Sequence, residues 1–184
     1  MEERLKDAKR RMEGAVRSLT AEFASVRTGR ASTALLDRVT VDAYGSPMPL
    51  NQLATIHAPE PRLLTVQPYD RGIMGAVEKA IMESDLGLTP SNDGQMIRLP
   101  IPQLTEERRK ELVRLVHKMA EEARVAVRNV RRDVLNDLKR SEKEGELSRD
   151  ELSRAQDEVQ KLTDAEVAAI DELMARKEAE ILEV

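Results

Sequence analysis

All eight prolines of this 184-residue chain fall between residues 31 and 104, at positions 47, 49, 59, 61, 68, 90, 100 and 102, and neither flank contains one. Proline lacks a backbone donor and clashes with the preceding helical turn, so it is kept out of helix interiors. The partition therefore predicts two architectures. Helices are free to run long on both sides, while the middle must be built from strands, turns and short helices. The boundaries it predicts are one domain made of residues 1–30 and 104–184, and a second domain, 31–103, inserted into it.

The longest uninterrupted stretch is Thr105 to Arg140, which has no Gly or Pro and consists mostly of good helix formers. Thr105 suits the N-cap, and Glu106 and Glu107 place negative charge in the first turn, where the helix dipole favours it. Leu112, Val116, Met119, Ala123, Val127, Val130, Val134 and Leu138 recur at steps of three and four, the period of an amphipathic helix. At about 1.5 Å per residue such a helix runs roughly 54 Å.

Residues 1 to about 27 carry a similar seam: Leu5, Ala8, Met12, Val16, Leu19, Phe23 and Val26, with Gly29 as the expected stop. Ser148 and Glu151 match a capping box and open a third helix to about Leu182. Its predicted seam is Leu152, Ala155, Val159, Leu162, Ala169 and Leu173, broken by Glu166 where an apolar residue is expected. Three such helices predict an antiparallel three-helix bundle.

Within the middle segment, residues 31–36 read as a short helical turn. Residues 38–44 read as a strand ending in a Gly45-Ser46-Pro47 turn, and 53–58, 63–69 and 96–101 as further strands. Ile73 to Ser84 reads as a helix and Asp85 to Gly94 as a loop rich in turn residues. The fold class is thus α+β, a bundle with a small inserted β/α/β domain. The two connections, at Arg30 and Ala31 and at Pro102, Gln103 and Leu104, are the expected hinge.

The sharpest chemical signal lies on the second helix. Arg124, Arg128 and Arg131 stand at i, i+4 and i+7, and Arg132 follows Arg128 by four, so they share one stripe away from the apolar seam. No acid interrupts Arg124 to Arg132; Glu121 and Asp133 border the run and nothing inside it neutralises it. For a generic helix the bland reading is a solvated face carrying i,i+4 pairs. Arginine instead of a Lys/Glu mixture points to phosphate, whose oxygens the planar guanidinium grips two at a time. The net charge is −4, so any nucleic-acid contact must be a local patch on an acidic body. Aromatic residues are only 2%, which disfavours readers of single strands that stack bases on rings.

Other chemistry is unsupported. The chain has no cysteine, which excludes disulfides and fits a reducing compartment. It contains no P-loop, GxGxxG or GxSxG pattern, and His57 and His117 lack metal-ligand spacing. The expectation is a non-enzyme with no cofactor and no metal. With no apolar run near 18 residues and no signal-peptide core at the N-terminus, the expectation is also a soluble cytoplasmic chain.

Arg27-Thr28-Gly29-Arg30-Ala31-Ser32, Tyr44-Gly45 through Asn51-Gln52-Leu53-Ala54, Ser84-Asp85-Leu86-Gly87-Leu88, Leu104 to Arg109, Val127 to Arg132 and Gln160-Lys161-Leu162-Thr163-Asp164 resemble the signature segments of the bacterial ribosome recycling factor family, essentially end to end. The resemblance implies an L-shaped, monomeric molecule that mimics transfer RNA and binds large-subunit ribosomal RNA near the A and P sites. It implies action with elongation factor G and GTP to split the post-termination ribosome and release messenger and deacylated transfer RNA. The family's RNA-contacting arginines fall on Arg27, Arg30, Arg109, Arg128 and Arg131, with Arg132 adjacent. Arg27 and Arg30 have a competing role, since cations suit a helix C-terminus. Ala43 and Thr33 depart from the family pattern, where a second aromatic and a proline are common. Two rival readings stand beside this one: a coiled-coil protein–protein adaptor without RNA binding, and a hydrolase with an unrecognised site in the insert.

Overall fold

The computed structural model describes residues 1–183. The chain separates into two compact units, Met1–Arg27 with Glu106–Val184, and Thr28–Thr105. The first is built on three helices, α1 (Glu2–Ser25), α4 (Glu106–Lys143) and α5 (Arg149–Leu182). Arg4 of α1 donates to Ser141 of α4, and Arg11 meets Asp133 at 3.4 Å, so α1 runs antiparallel to α4. The α4–α5 turn is closed by Gly145 N–H to Glu142 O and Glu146 N–H to Ser141 O, the paired bonds of a Schellman stop. Ser148 Oγ then accepts from Glu151 N at 3.2 Å while Glu151 Oε2 accepts from Ser148 N at 2.8 Å, so the capping box is complete.

The bundle core keeps the three-and-four steps, although Leu5, Val16 and Met119 are only half-buried and Ala120 takes the buried place expected for Met119. Ala8, Met12, Leu19 and Phe23 face Leu112, Val116, Ala120, Ala123, Val127, Val130, Val134 and Leu138, all buried. On α5 the expected seam needs correction. Ala155 and Val159 are buried, but the other buried positions are Thr163, Ile170 and Ile181, while Leu152, Leu162, Ala169 and Leu173 are only half-buried. The helix packs against two partners at once, so its apolar residues spread over a broad face and no single stripe is deepest. Thr163 tolerates burial because its hydroxyl donates to Val159 O at 2.8 Å.

The second unit contains a hairpin, β1 (Thr40–Ala43) and β2 (Ser46–Pro49), followed by a single helical turn, α2 (Leu50–Leu53). It continues with β3 (Ala54–Glu60), β4 (Leu63–Pro68), α3 (Met74–Glu83), β5 (Ser91–Asn92) and β6 (Ile97–Pro100). The last four strands form one antiparallel sheet in the order β3-β4-β6-β5. Its core gathers Leu36, Val41, Leu50, Leu64, Val66, Val77, Ile81, Ile97 and Leu99.

The hairpin turn lies at Tyr44-Gly45, with φ of 52° and 81°, and not at Gly45-Ser46-Pro47 as expected. Ser46–Pro49 is a strand in spite of its prolines because Asp42 pairs Pro47 and Thr40 pairs Pro49. Beyond a two-residue turn these are the non-hydrogen-bonded pairs, where a missing N–H costs no ladder bond.

The first connection also differs. α1 ends at Ser25, with Val26 already extended, so Gly29 does not terminate it. Gly29 instead has φ +77°, and a Cβ there would lie 3.0 Å from the Leu104 side chain. The two crossings therefore pass in contact at the one residue without a side chain. Ala31 N–H donates to Pro61 O at 2.6 Å and Ile101 N–H to Arg62 O at 2.8 Å, which fastens both crossings to the β3–β4 turn. Ala31 thus has its backbone donor engaged within the smaller unit.

Candidate RNA-binding surface

α4 carries twelve basic and eight acidic residues, net +4, whereas α5 carries five basic and ten acidic, net −5. The most basic helix thus lies against the most acidic one, and which arginines stay available depends on what α5 offers each of them.

Arg124 is held by carboxylates from two helices. Its side chain is only 16% exposed. Nε and Nη2 donate to Asp171 Oδ1 of α5 at 2.8 and 2.6 Å, Nη1 donates to Glu121 Oε2 at 3.1 Å, and Nη2 also lies 3.5 Å from the sulfur of Met174. Burial alone would lower its pKa, but the hydrogen bonds to Asp171 and then Glu121 outweigh that and raise it. Glu121 is pulled below the usual carboxylate range, first by Arg124 and then by Arg128. Arg124 is an interhelical clamp, with its charge neutralised and its donors engaged. No acid inside the run neutralises it, but acids outside the run do. Glu121 reaches back from one turn before, and Asp171 arrives from a helix whose approach the sequence of α4 does not reveal.

The rest of the stripe is more open. Arg128, 48% exposed, has one contact, Glu121 Oε1 at 3.3 Å. Such an exposed pair is worth on the order of 0.2–1 kcal/mol, little enough to yield to a phosphate. Arg132 is 66% exposed, with Asp133 no nearer than 4.0 Å. Arg131 is half-buried, reaches Gln160 Oε1 of α5 at 3.3 Å through Nη1, and keeps a buried Nε without an acceptor among the described residues.

Arg128, Arg131 and Arg132 are brought together; the others are not. Arg109 sits half-buried in the first turn of α4, roughly 29 Å along the axis from Arg128 at 1.5 Å per residue. Arg27, exposed just beyond α1, lies at that same end of the bundle, because α1 and α4 are antiparallel. Arg30 is exposed and belongs to the smaller unit. Arg114 and Lys139 are also exposed on α4: Arg114 precedes Arg132 by 18 residues, five whole turns, and Lys139 follows it by seven, so all three share one line.

His117 meets Glu178 Oε2 of α5 at 2.9 Å, and His57 lies exposed on β3 in the other unit. Among the described residues no cluster of His, Cys, Asp and Glu could hold a metal, and no helix is long and apolar enough to cross a membrane.

Comparison with known proteins agrees along the whole length. The family model for ribosome recycling factor matches residues 19–182. The ribosome-recycling factor of Rubrobacter xylanophilus is 59% identical over 180 residues, 98% of this chain and 97% of the relative. That of Shouchella clausii is 60% identical over 178 residues, 97% of this chain and 96% of the relative. A solution structure of a ribosome recycling factor superposes with a TM-score of 0.74 at 46% identity, over 100% of this chain and 97% of that one. Models for the T. thermophilus ribosome recycling factor and the E. coli elongation factor G bound to the E. coli post-termination complex align with a TM-score of 0.62 at 50% identity, over 98% of each chain. The family model takes in the end of α1, the whole insert and both long helices, and the relatives cover nearly the entire chain; the chain belongs to the ribosome recycling factor family.

Proposed function

We propose that this chain, with elongation factor G and GTP, splits the post-termination ribosome into subunits and frees it from messenger and deacylated transfer RNA. The observation that carries the reading is the family match, which spans both compact units and not the bundle alone. The bundle holds large-subunit ribosomal RNA near the A and P sites through Arg27, Arg109, Arg128, Arg131 and Arg132, with Arg30 contributing from the smaller unit. Arg124 is not in that set. Arg114 and Lys139 extend the ridge.

The chemistry is recognition and mechanical work, with no bond made or broken by this chain; GTP hydrolysis belongs to the partner. Guanidinium groups suit folded RNA because they grip phosphate oxygens without reading sequence. The insert acts as a lever on two crossings, with Arg30, Ala31, Pro102, Gln103 and Leu104 as the pivot. The factor works as a monomer in the cytoplasm, where ribosomes are.

The test is sucrose-gradient analysis of post-termination ribosomes incubated with the chain, elongation factor G and GTP. The expected result is conversion to subunits only when all three are present. Persistence of intact ribosomes, or splitting that does not need this chain, contradicts the proposal.

A further inference from the structure

Gln160 and Asp164 belong to the segment Gln160-Lys161-Leu162-Thr163-Asp164, for which the bundle core gives only a partial account. Thr163 is buried in the seam, and Gln160 and Asp164 are exposed. Their side chains are nevertheless ordered relative to one another. Gln160 Nε2 donates to Asp164 Oδ1 at 2.8 Å, one helical turn along α5. An amide whose nitrogen is held in this way must present its oxygen in the other direction, and Gln160 Oε1 accepts from Arg131 Nη1 at 3.3 Å.

The arrangement differs in kind from the one at Arg124. There, carboxylates from two helices meet the guanidinium and cancel its charge. At Arg131 the acceptor is a neutral amide, and the nearby carboxylate is turned to the amide nitrogen, one residue removed from the guanidinium. The Arg131 Nε lies buried without an acceptor, and Nη2 makes no hydrogen bond among the described residues. The side chain is thus fixed in place while its charge stays uncompensated. A phosphate ligand benefits from that state, because less side-chain freedom is lost when it binds.

We propose that Gln160 and Asp164 are positioning residues for RNA binding. Asp164 sets the orientation of the Gln160 amide, and Gln160 holds the Arg131 guanidinium through a neutral acceptor that leaves its charge available for a backbone phosphate. The inference rests on the reading of α4 as the RNA-facing helix. It makes the neutrality of residue 160 a functional requirement, since a carboxylate there would capture the guanidinium as Asp171 captures Arg124.

The experiment is equilibrium binding of the full chain to vacant ribosomes, with denaturant unfolding of each variant as a control. Arg131→Ala weakens binding about tenfold, the effect of roughly one charge-assisted contact. Gln160→Ala weakens it about threefold in the wild-type background and adds nothing to R131A, the signature of two residues acting as one. Gln160→Glu weakens binding more than Gln160→Ala, although it can still accept the hydrogen bond. Asp164→Asn keeps an acceptor for the amide and binds as wild type, while Asp164→Leu follows Gln160→Ala. If R131A binds as wild type, the proposed contact itself is overturned. If R131A is weak but Q160A is silent, or equally harmful with and without Arg131, the positioning role is overturned and the contact stands.

Discussion

Two stretches of the α4–α5 seam make opposite use of the same residue type. At Arg124, α5 supplies Asp171 and α4 supplies Glu121, and the arginine is 16% exposed with every nitrogen engaged. Two turns further along, Arg131 meets only the amide oxygen of Gln160. The first arrangement joins helices; the second leaves a cation fixed and chemically unsatisfied. A run of arginines on one helix face is therefore not one site. What each arginine does is decided by the side chain that the neighbouring helix places opposite it.

The largest stability effect is expected at the first of these stretches. Arg124→Ala leaves Asp171 without its interhelical partner and removes packing at the seam. Charge-assisted hydrogen bonds are worth about 1.5–3 kcal/mol each, and with partners half-exposed the loss should be about 1–2 kcal/mol. Denaturant unfolding should show a lower midpoint at an unchanged slope. Ribosome affinity should not change. A variant of wild-type stability, or one that loses affinity while still folded, would erase the distinction between the two stretches.

A smaller effect tests what a carboxylate does on α5 when no arginine meets it. Glu166 is half-buried toward α1, where burial first, and then Glu13, raise its pKa, with Lys9 opposing. An acid whose folded pKa is raised binds a proton more readily when folded. The stability from that proton is fully present below the ordinary value of 4.5 and is lost as pH rises through the folded value. Glu166→Gln should therefore unfold less readily than wild type at pH 7, with the advantage shrinking toward pH 4. Unfolding curves over that range check this; an advantage independent of pH would mean that titration of Glu166 is not the cause.

The bundle was legible because its signals are local in the chain. Apolar steps of three and four mark each helix, and Ser148 with Glu151 satisfies its cap within one turn. The insert was legible in class but less so in detail, because prolines at 47 and 49 mask a strand until the register shows that they occupy non-bonded pairs. The run of arginines on α4 was legible in the sequence, but the different surroundings of its members were not. Periodicity places Arg124 and Arg131 on one face. The residues that distinguish them, Asp171 and Gln160, lie 47 and 29 positions away in the chain. Charge patterning within a helix cannot see a partner that arrives through tertiary packing. The same limit hid the role of Gln160 and Asp164, whose meaning depends on which end of an amide faces the next helix.

The most direct test is the salt dependence of ribosome binding, measured in parallel for wild type, Arg131→Ala and Arg124→Ala. Each lost phosphate contact should flatten the slope of log affinity against log salt concentration by about one. The predicted result is a slope reduced by about one for R131A and unchanged for R124A. Equal slopes for all three, or a reduction confined to R124A, would contradict the claim that the amide-held arginine, and not the carboxylate-held one, meets RNA.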